Sequence, residues 1–178
     1  TAYRRQRQMC IRDRDFMLCE KTGNVQRSRH WFGAINTKYT KAAGVEVDKG
    51  KLLNEFSRYA SGQCNQRVIR TWIDESADVV EWIDPILTQA GMTCAFDKDV
   101  DHETGGTDYY IAPMEHYYSG TDAAGEKLER NKVLLDYINE KGYDVAYNHK
   151  LVKLAREDGG RVTGAIFETD QGNVQVNA

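Results

Sequence analysis

The sequence contains little cysteine and little proline for its 178 residues. Its four cysteines, Cys10, Cys19, Cys64 and Cys94, form no CxxC pair and have no Cys/His spacing typical of a zinc site. An HExxH motif and a nucleophile elbow are also missing, so neither a zinc protease nor an α/β-hydrolase is indicated. Two prolines leave no room for long proline-rich linkers.

Long apolar runs and excess positive charge are missing as well. No run approaches the roughly 20 apolar residues that a membrane-spanning helix needs, so we expect no membrane span. The formal net charge is −3, and it becomes more negative when the arginine-rich beginning is set aside. This balance argues against a nucleic-acid partner.

The arginine-rich beginning, RRQRQMCIRDR, covers residues 4–14. As native protein it would be a basic arm able to contact nucleic-acid phosphates. The same residues are also the in-frame translation of a common sequencing-library adapter that ends in a transposase recognition end. We therefore interpret residues 1–14 as adapter-derived and non-native, with the native reading frame entering near Asp15.

Helices are predicted in the first half of the remaining chain. Asp48 can cap a helix from Lys49 to about Ser61. A longer helix follows Asn65, because apolar residues recur there every three or four positions, and Pro85 predicts a break or bend at its preceding residue. DFMLCE, residues 15–20, is typical of the end of a strand, and a strand is predicted at residues 92–96.

The second half is predicted to be a long loop, a helix and a β-meander. Residues 97–125 are polar and rich in glycine, which favours a functional loop or an insertion. A helix is expected from Glu126 to Lys141. Strands follow in YDVAY, KLVKLAR, RVTGAIFET and VQV, with turns at EDGG and DQGN, and Asp158-Gly159 is a strong hairpin signal.

These elements, in this order, resemble the flavoprotein family of fumarate reductase and succinate dehydrogenase, over residues 20–178. The resemblance implies an α/β fold, here an incomplete Rossmann-like FAD-binding domain that is α+β as a fragment. It implies a partial FAD-binding domain at residues 15–96, a loop or insertion near the flavin and the substrate cap at 97–125, and a truncated continuation of the FAD-binding domain at 126–178. The implied cofactor is FAD.

Four stretches carry the resemblance and imply cofactor-binding residues. Glu20 and Lys21 match the end of the strand whose acid holds the adenosine ribose. SRHWFGAIN matches a segment that approaches the pyrophosphate and flavin, with Ala34 where the family has a second glycine. A third stretch is the long helix and turn of residues 68–92, and the fourth is the block of residues 133–173, whose strand near Leu151 meets the adenine. The implied cofactor-binding residues are therefore Glu20, Lys21, Ser28, Gly33, Ala34, Asn36 and Leu151.

The family's GxGxxG and its catalytic residues have no counterpart in the sequence. The resemblance implies that the glycine motif lies upstream of Glu20 and that the catalytic residues lie beyond Ala178. No catalytic or metal-binding residue is therefore assigned. The fragment itself is expected to be inactive.

The resemblance implies reduction of an activated C=C bond of an unsaturated carboxylate, with a small-molecule substrate and an unknown electron donor as partners. Two alternatives stay open, a flavin dehydrogenase of 3-oxosteroids and, if the basic arm is native, a nucleic-acid-binding module. The localisation, whether cytoplasmic or in the cell envelope, is left open.

Overall fold

The structure is a computed structural model that describes residues 16–27, 29, 31–99, 110 and 112–177. The chain divides into two compact units. The first unit consists of Thr1–Gln26 with Ile138–Ala178, and the second unit of Arg27–Tyr137. The adapter-derived interpretation of residues 1–14 concerns positions outside the described residues.

The first unit contains a parallel strand pair and an antiparallel meander. Strand β1 (Leu18–Cys19) pairs in parallel with β5 (Val145–Ala146). Strands β6 (Lys150–Ala155), β7 (Gly164–Thr169) and β8 (Gly172–Asn177) form a three-stranded sheet in that order. The predicted meander is therefore confirmed, although β7 begins later than the apolar alternation in RVTGAIFET indicates.

The second unit packs helices against a small antiparallel sheet. Its strands are β2 (Trp31–Gly33), β3 (Thr93–Asp97) and β4 (Glu115–Ser119), in the order β2-β4-β3. Its helices are α1 (Lys38–Ala42), α2 (Lys49–Tyr59) and α3 (Gln66–Gln89), and α4 (Arg130–Glu140) begins in this unit. The mixed α/β class expected from the sequence is confirmed.

Helix beginnings in the second unit follow local capping chemistry. The Asp48 side chain accepts a hydrogen bond from the Lys51 amide at 2.9 Å, and Asn65 accepts one from the Arg67 amide at 3.0 Å. Each bond satisfies an amide that the first helical turn leaves without a partner. The predicted starts of α2 and α3 are therefore confirmed.

Two apolar clusters hold the second unit together. The first cluster joins α2 and α3 to the neighbouring loops, and the second joins α3 to β3, β4 and α4. The buried members of the first are Ile35, Val47, Leu52, Leu53, Ile73 and Ala112, and those of the second are Leu87, Met92, Tyr118 and Val133. Both clusters contain residues of α3, so this helix packs in both parts of the core.

The helix does not break at Asp84-Pro85, where a break or bend was predicted, because α3 continues through Pro85 to Gln89. A proline inside a helix loses one backbone hydrogen bond and costs roughly 3 kcal/mol. Two features of the surroundings oppose that cost. Leu87, just after the proline, is fully buried, and the carboxylate of Asp84 receives hydrogen bonds from side chains outside the helix. Tertiary packing therefore overrides the local rule.

The prediction of one unstructured stretch at residues 97–125 is partly wrong. Strand β4 lies inside it and pairs with both β2 and β3. The bridge between Thr121 and Lys127 keeps the chain extended beyond Glu126, so α4 begins only at Arg130. Residues 100–109 and 111 of this stretch lie outside the described residues. Helix α1 was not predicted, since its five residues carry no apolar periodicity.

Within the described part of the chain, every helix is too short or too polar to cross a membrane. The same residues contain no group of three or more His, Cys, Asp or Glu side chains placed to hold a metal ion.

Candidate functional site

Glu20 follows directly after β1, at the carboxyl end of the parallel pair. Its amide donates to the carbonyl of Ala146 at 2.9 Å, so the backbone there is fixed by β5. Its Oε1 accepts hydrogen bonds from the amide and from the hydroxyl of Thr22, both at 3.0 Å. These bonds, the amide bond first, hold the pKa of the Glu20 carboxyl below its usual value. The side chain is therefore an ionised acceptor at neutral pH.

The loop before β6 holds the residues around Glu20 in place. The amide of His149 donates to the Glu20 carbonyl, and the amide of Asn148 donates to the Thr22 carbonyl, each at 3.0 Å. Asn148 itself has a positive φ of 55°, a conformation that asparagine tolerates better than most residues. Strand β6, which carries Leu151, begins directly after this loop.

The other two predicted residues of the first unit are solvent-accessible. Lys21 lies in the bend after β1 and is exposed. Leu151 pairs with Phe167 across β6 and β7, and 53% of Leu151 is exposed. Glu20 and Leu151 therefore lie in the same unit and can both be reached by a ligand.

In the second unit, Gly33 and Ala34 are held by packing. The carbonyl of Gly33 accepts a hydrogen bond from the indole of Trp72 at 3.1 Å, and a Cβ on Gly33 would meet the Trp72 ring at 3.3 Å. Ala34 is buried, and its amide donates to the carbonyl of Met114 at 2.8 Å. Close approach of Trp72 thus already explains the glycine.

Asn36 closes the loop that leads to α2. Its side chain donates to the carbonyl of Val47 at 3.0 Å and accepts from the amide of Val47 at 2.8 Å. Its backbone has a positive φ of 53°. The asparagine therefore has a structural role here whether or not a ligand is present. Ser28, the remaining predicted residue, lies outside the described residues.

His116 is fully buried beside this segment. Its Nδ1 lies 2.9 Å from the carbonyl of Met114, so Nδ1 must carry the hydrogen. Its Nε2 lies 2.9 Å from the Thr37 hydroxyl, which then donates to it. Burial lowers the pKa of His116, and the arrangement of partners is that of a neutral imidazole.

Besides His116, the ionisable residue Asp84 is also buried, at 4% exposure. Its carboxylate accepts hydrogen bonds from the Lys38 ammonium and the Tyr39 hydroxyl, and from the Tyr118 hydroxyl at 2.6 Å. Burial raises the pKa of Asp84, but the bonds from Lys38, Tyr118 and Tyr39 outweigh it, and the pKa lies below its usual value. Three elements, α1, α3 and β4, therefore meet at one negative charge.

The two tyrosine hydroxyls and the cysteine thiol around Asp84 are held in their neutral forms. Burial and then the Asp84 carboxylate raise the pKa of both Tyr39 and Tyr118. Burial raises the pKa of the Cys94 thiol to about 11. None of these groups is poised to act as a base or nucleophile near neutral pH, so the cluster is a structural anchor.

Comparison with known proteins gives a match in structure but not in sequence. No family model and no curated protein matches the sequence. A flavocytochrome c3 fumarate reductase, solved in its open conformation, superposes with a TM-score of 0.66 at 20% identity, over 91% of this chain and 27% of that one.

Two steroid dehydrogenases superpose over the same share of the chain. A 3-ketosteroid-delta4-(5alpha)-dehydrogenase from Rhodococcus jostii RHA1 gives a TM-score of 0.61 at 14% identity, covering 38% of that chain. A 3-ketosteroid delta1-dehydrogenase from Sterolibacterium denitrificans gives 0.66 at 12% identity, covering 41% of that chain. The chain has the fold of part of a flavoprotein. It spans between 27% and 41% of the length of these three structures.

Within this flavoprotein fold, the Asp84 cluster was not predicted from the sequence. Asp84 lies on the apolar stripe of α3, four residues after buried Val80 and three before buried Leu87. An acid at such a position must be paired or neutral, and that signal could have identified it. Its partners could not be predicted, because Lys38 and Tyr118 come from distant parts of the sequence.

Proposed function

We propose that the protein is part of an FAD-dependent oxidoreductase. The observation that carries this proposal is Glu20, an ionised carboxylate at the carboxyl end of a parallel strand, in a chain with a flavoprotein fold. Ligands of such folds bind beyond the carboxyl ends of parallel strands, where an acid accepts hydrogen bonds from ribose hydroxyls. When bound, FAD would supply hydride transfer.

The residues near Glu20 fit an adenosine ribose. A carboxylate offers about four acceptor positions, and Thr22 uses two of them, both on Oε1. Lys21 is exposed next to Glu20, and Leu151 presents an exposed apolar side chain in the same unit. We therefore assign Glu20 to the ribose hydroxyls and propose contacts from Lys21 and Leu151.

Residues 28–36, which were predicted to contact the flavin, give weaker support for bound FAD. Gly33, Ala34 and Asn36 all have partners within the second unit, and the contacts of Gly33 and Asn36 account for these two residue types without a ligand. Only their backbone could face a cofactor, and Ser28 remains a prediction. Support for the cofactor therefore comes from Glu20 and the fold.

For the whole protein we propose reduction of an activated C=C bond of an unsaturated carboxylate, with a small-molecule substrate and an electron donor as partners. The match to the fumarate reductase supports this reaction. A 3-ketosteroid dehydrogenase is the second candidate, because two of the three matched structures are enzymes of that kind. The basic-arm alternative lies outside the described residues and is not proposed.

The two reactions can be separated on the protein translated from the intact gene. Its bound flavin is reduced anaerobically, and reoxidation is followed in the visible spectrum after fumarate or a 3-ketosteroid-1-ene is added. Rapid reoxidation by fumarate alone supports the first candidate, and reoxidation by the steroid alone supports the second. Failure of both substrates would contradict both reactions.

The role of Glu20 has its own test. Glu20→Gln removes the charge that holds the ribose and should weaken FAD binding by roughly tenfold or more, the range for a charge-assisted hydrogen bond. Glu168→Gln, an exposed carboxylate in the same unit, is the control and should bind FAD normally. Equal affinities for the two variants would remove Glu20 from the site.

A further inference from the structure

A small, half-open cavity lies in the second unit, where α4 begins. The centres of water-sized groups have about 20 Å³ of room in it, and it opens to solvent. It is lined by Arg29, Tyr117, Tyr118, Lys127, Leu128, Glu129 and Arg130. This space admits one or two oxygen-sized groups, so an anion can place its oxygens inside while its remainder lies at the open mouth.

Arg130 is held rigidly at this cavity. Its guanidinium lies over the Phe32 ring, 4.9 Å from the centroid, and one of its nitrogens donates to the carbonyl of Arg29 at 3.0 Å. A guanidinium has five N–H donors in a fixed plane. Because the side chain is already ordered, a ligand that uses its other donors would lose little conformational entropy on binding.

The charges around the cavity favour an anion. Among the described lining residues, Arg29, Lys127 and Arg130 are positive and Glu129 is the one acid. Glu129 is itself shared with Arg27, whose Nε lies 3.9 Å from its Oε1. In the sequence, Glu126 and Lys132 flank residues 127–130 and are not among the lining residues. Three cations against one shared carboxylate leave a positive field at the mouth.

The geometry points to an oxyanion-binding site: we propose that this cavity takes one oxygen-rich anionic group, a phosphate or a carboxylate, whose oxygens face Arg130 and Lys127. Arginine binds both groups through two parallel hydrogen bonds. The anion can be a cofactor phosphate or a substrate carboxylate. That choice of source rests on the proposed function, whereas the site itself rests on the cavity.

The test is calorimetric titration of the folded chain with inorganic pyrophosphate and, separately, with succinate, in a chloride buffer of fixed ionic strength. Saturable one-to-one binding is expected for at least one of them. Arg130→Gln should weaken it at least about tenfold. Lys132→Gln removes the same charge from α4, two residues away and outside the cavity, and should leave the affinity unchanged.

A gain of affinity separates binding from a merely structural effect. Glu129→Gln removes the only acid among the described lining residues and should tighten binding, while Lys127→Gln, at an exposed position, should weaken it without affecting folding. Lys127→Gln takes the place of Arg130→Gln if the latter does not fold. Stronger binding of pyrophosphate assigns the site to a phosphate, and stronger binding of succinate assigns it to a carboxylate.

Two results would overturn the site: no heat of binding with either anion, or equal weakening by Lys127→Gln and Lys132→Gln. FAD binding is measured separately, on the protein translated from the intact gene. Oxyanion binding without FAD binding would refute the proposed function and leave this site standing, and the reverse would refute only the site.

Discussion

The two units of the chain differ in how their apolar side chains are used. Every hydrophobic side chain that is buried among the described residues lies in the second unit. In the first unit Leu151, Val152, Leu154 and Val174 are between 41% and 53% exposed. The second unit thus combines backbone pairing with a packed core, whereas the first has pairing with little burial. Small sheets without a packed face are marginally stable, so we expect the second unit to carry most of the measured stability.

The largest difference in stability is expected when one leucine is replaced in each unit. Leu87→Ala empties a fully buried position and should lower the free energy of unfolding by about 2–5 kcal/mol. Leu151→Ala, in the first unit, should cost less than about 0.5 kcal/mol. Urea denaturation followed by tryptophan fluorescence reports the second unit, since all three tryptophans lie there. Hydrogen exchange reports the stability of the first unit. Similar losses of stability in the two variants would contradict the proposed difference between the units.

Removing the buried charge should have the next largest effect. Asp84→Asn weakens three hydrogen bonds to a carboxylate and should cost about 1.5–3 kcal/mol. Asp74→Asn is the matched control, because its ion pair with Lys49 is half exposed and such pairs contribute about 0–1 kcal/mol. Both are measured by urea denaturation at neutral pH. If Asp84→Asn were as stable as the control, the cluster would not anchor the three elements.

Acid should destabilise the second unit through His116. Burial holds the pKa of His116 below the unfolded value, so the unfolded chain takes up the proton first as the pH falls below about 6.5. Stability is therefore fully present above that pH and declines as the pH falls toward the folded pKa.

The pH effect is checked by unfolding curves at a series of pH values between about 7.5 and 5.5. His116→Gln should flatten the dependence even if it lowers stability overall. His149→Gln, in the first unit, should leave the pH dependence of the tryptophan-monitored transition unchanged. A slope that survives in His116→Gln would assign the effect to another group.

The smallest effect is expected at the surface of the meander. Lys150 and Glu168 form an ion pair at 3.0 Å across β6 and β7, and both side chains are more than half exposed. Lys150→Gln should change stability by no more than about 1 kcal/mol, read from hydrogen exchange of the meander amides. A larger loss would mean that this pair, and not backbone pairing, holds the sheet.

Local signals predicted the parts of the fold that depend on local chemistry. Asp48 and Asn65 marked helix starts because a cap involves residues within three positions. Asp158-Gly159 marked a hairpin because a turn is equally local. Strand β4 and the uninterrupted α3 were missed, because β4 depends on partners far away in the sequence and Pro85 is tolerated through tertiary contacts.

The candidate site also has features that the sequence predicted and features that depend on distant segments. The sequence singled out Glu20 through a resemblance, and the structure places it at a strand end beside Thr22. It could not predict that Gly33 and Asn36 are held by Trp72 and Val47, since those contacts join distant segments. Contact of these residues with FAD stays a prediction.

The most direct test of the central claim is the visible spectrum of the protein purified from its intact gene, before and after denaturation. We predict a flavin absorption band and release of FAD, rather than another flavin, on unfolding. A colourless protein that takes up no FAD on reconstitution would contradict the account and leave the flavoprotein fold without its cofactor.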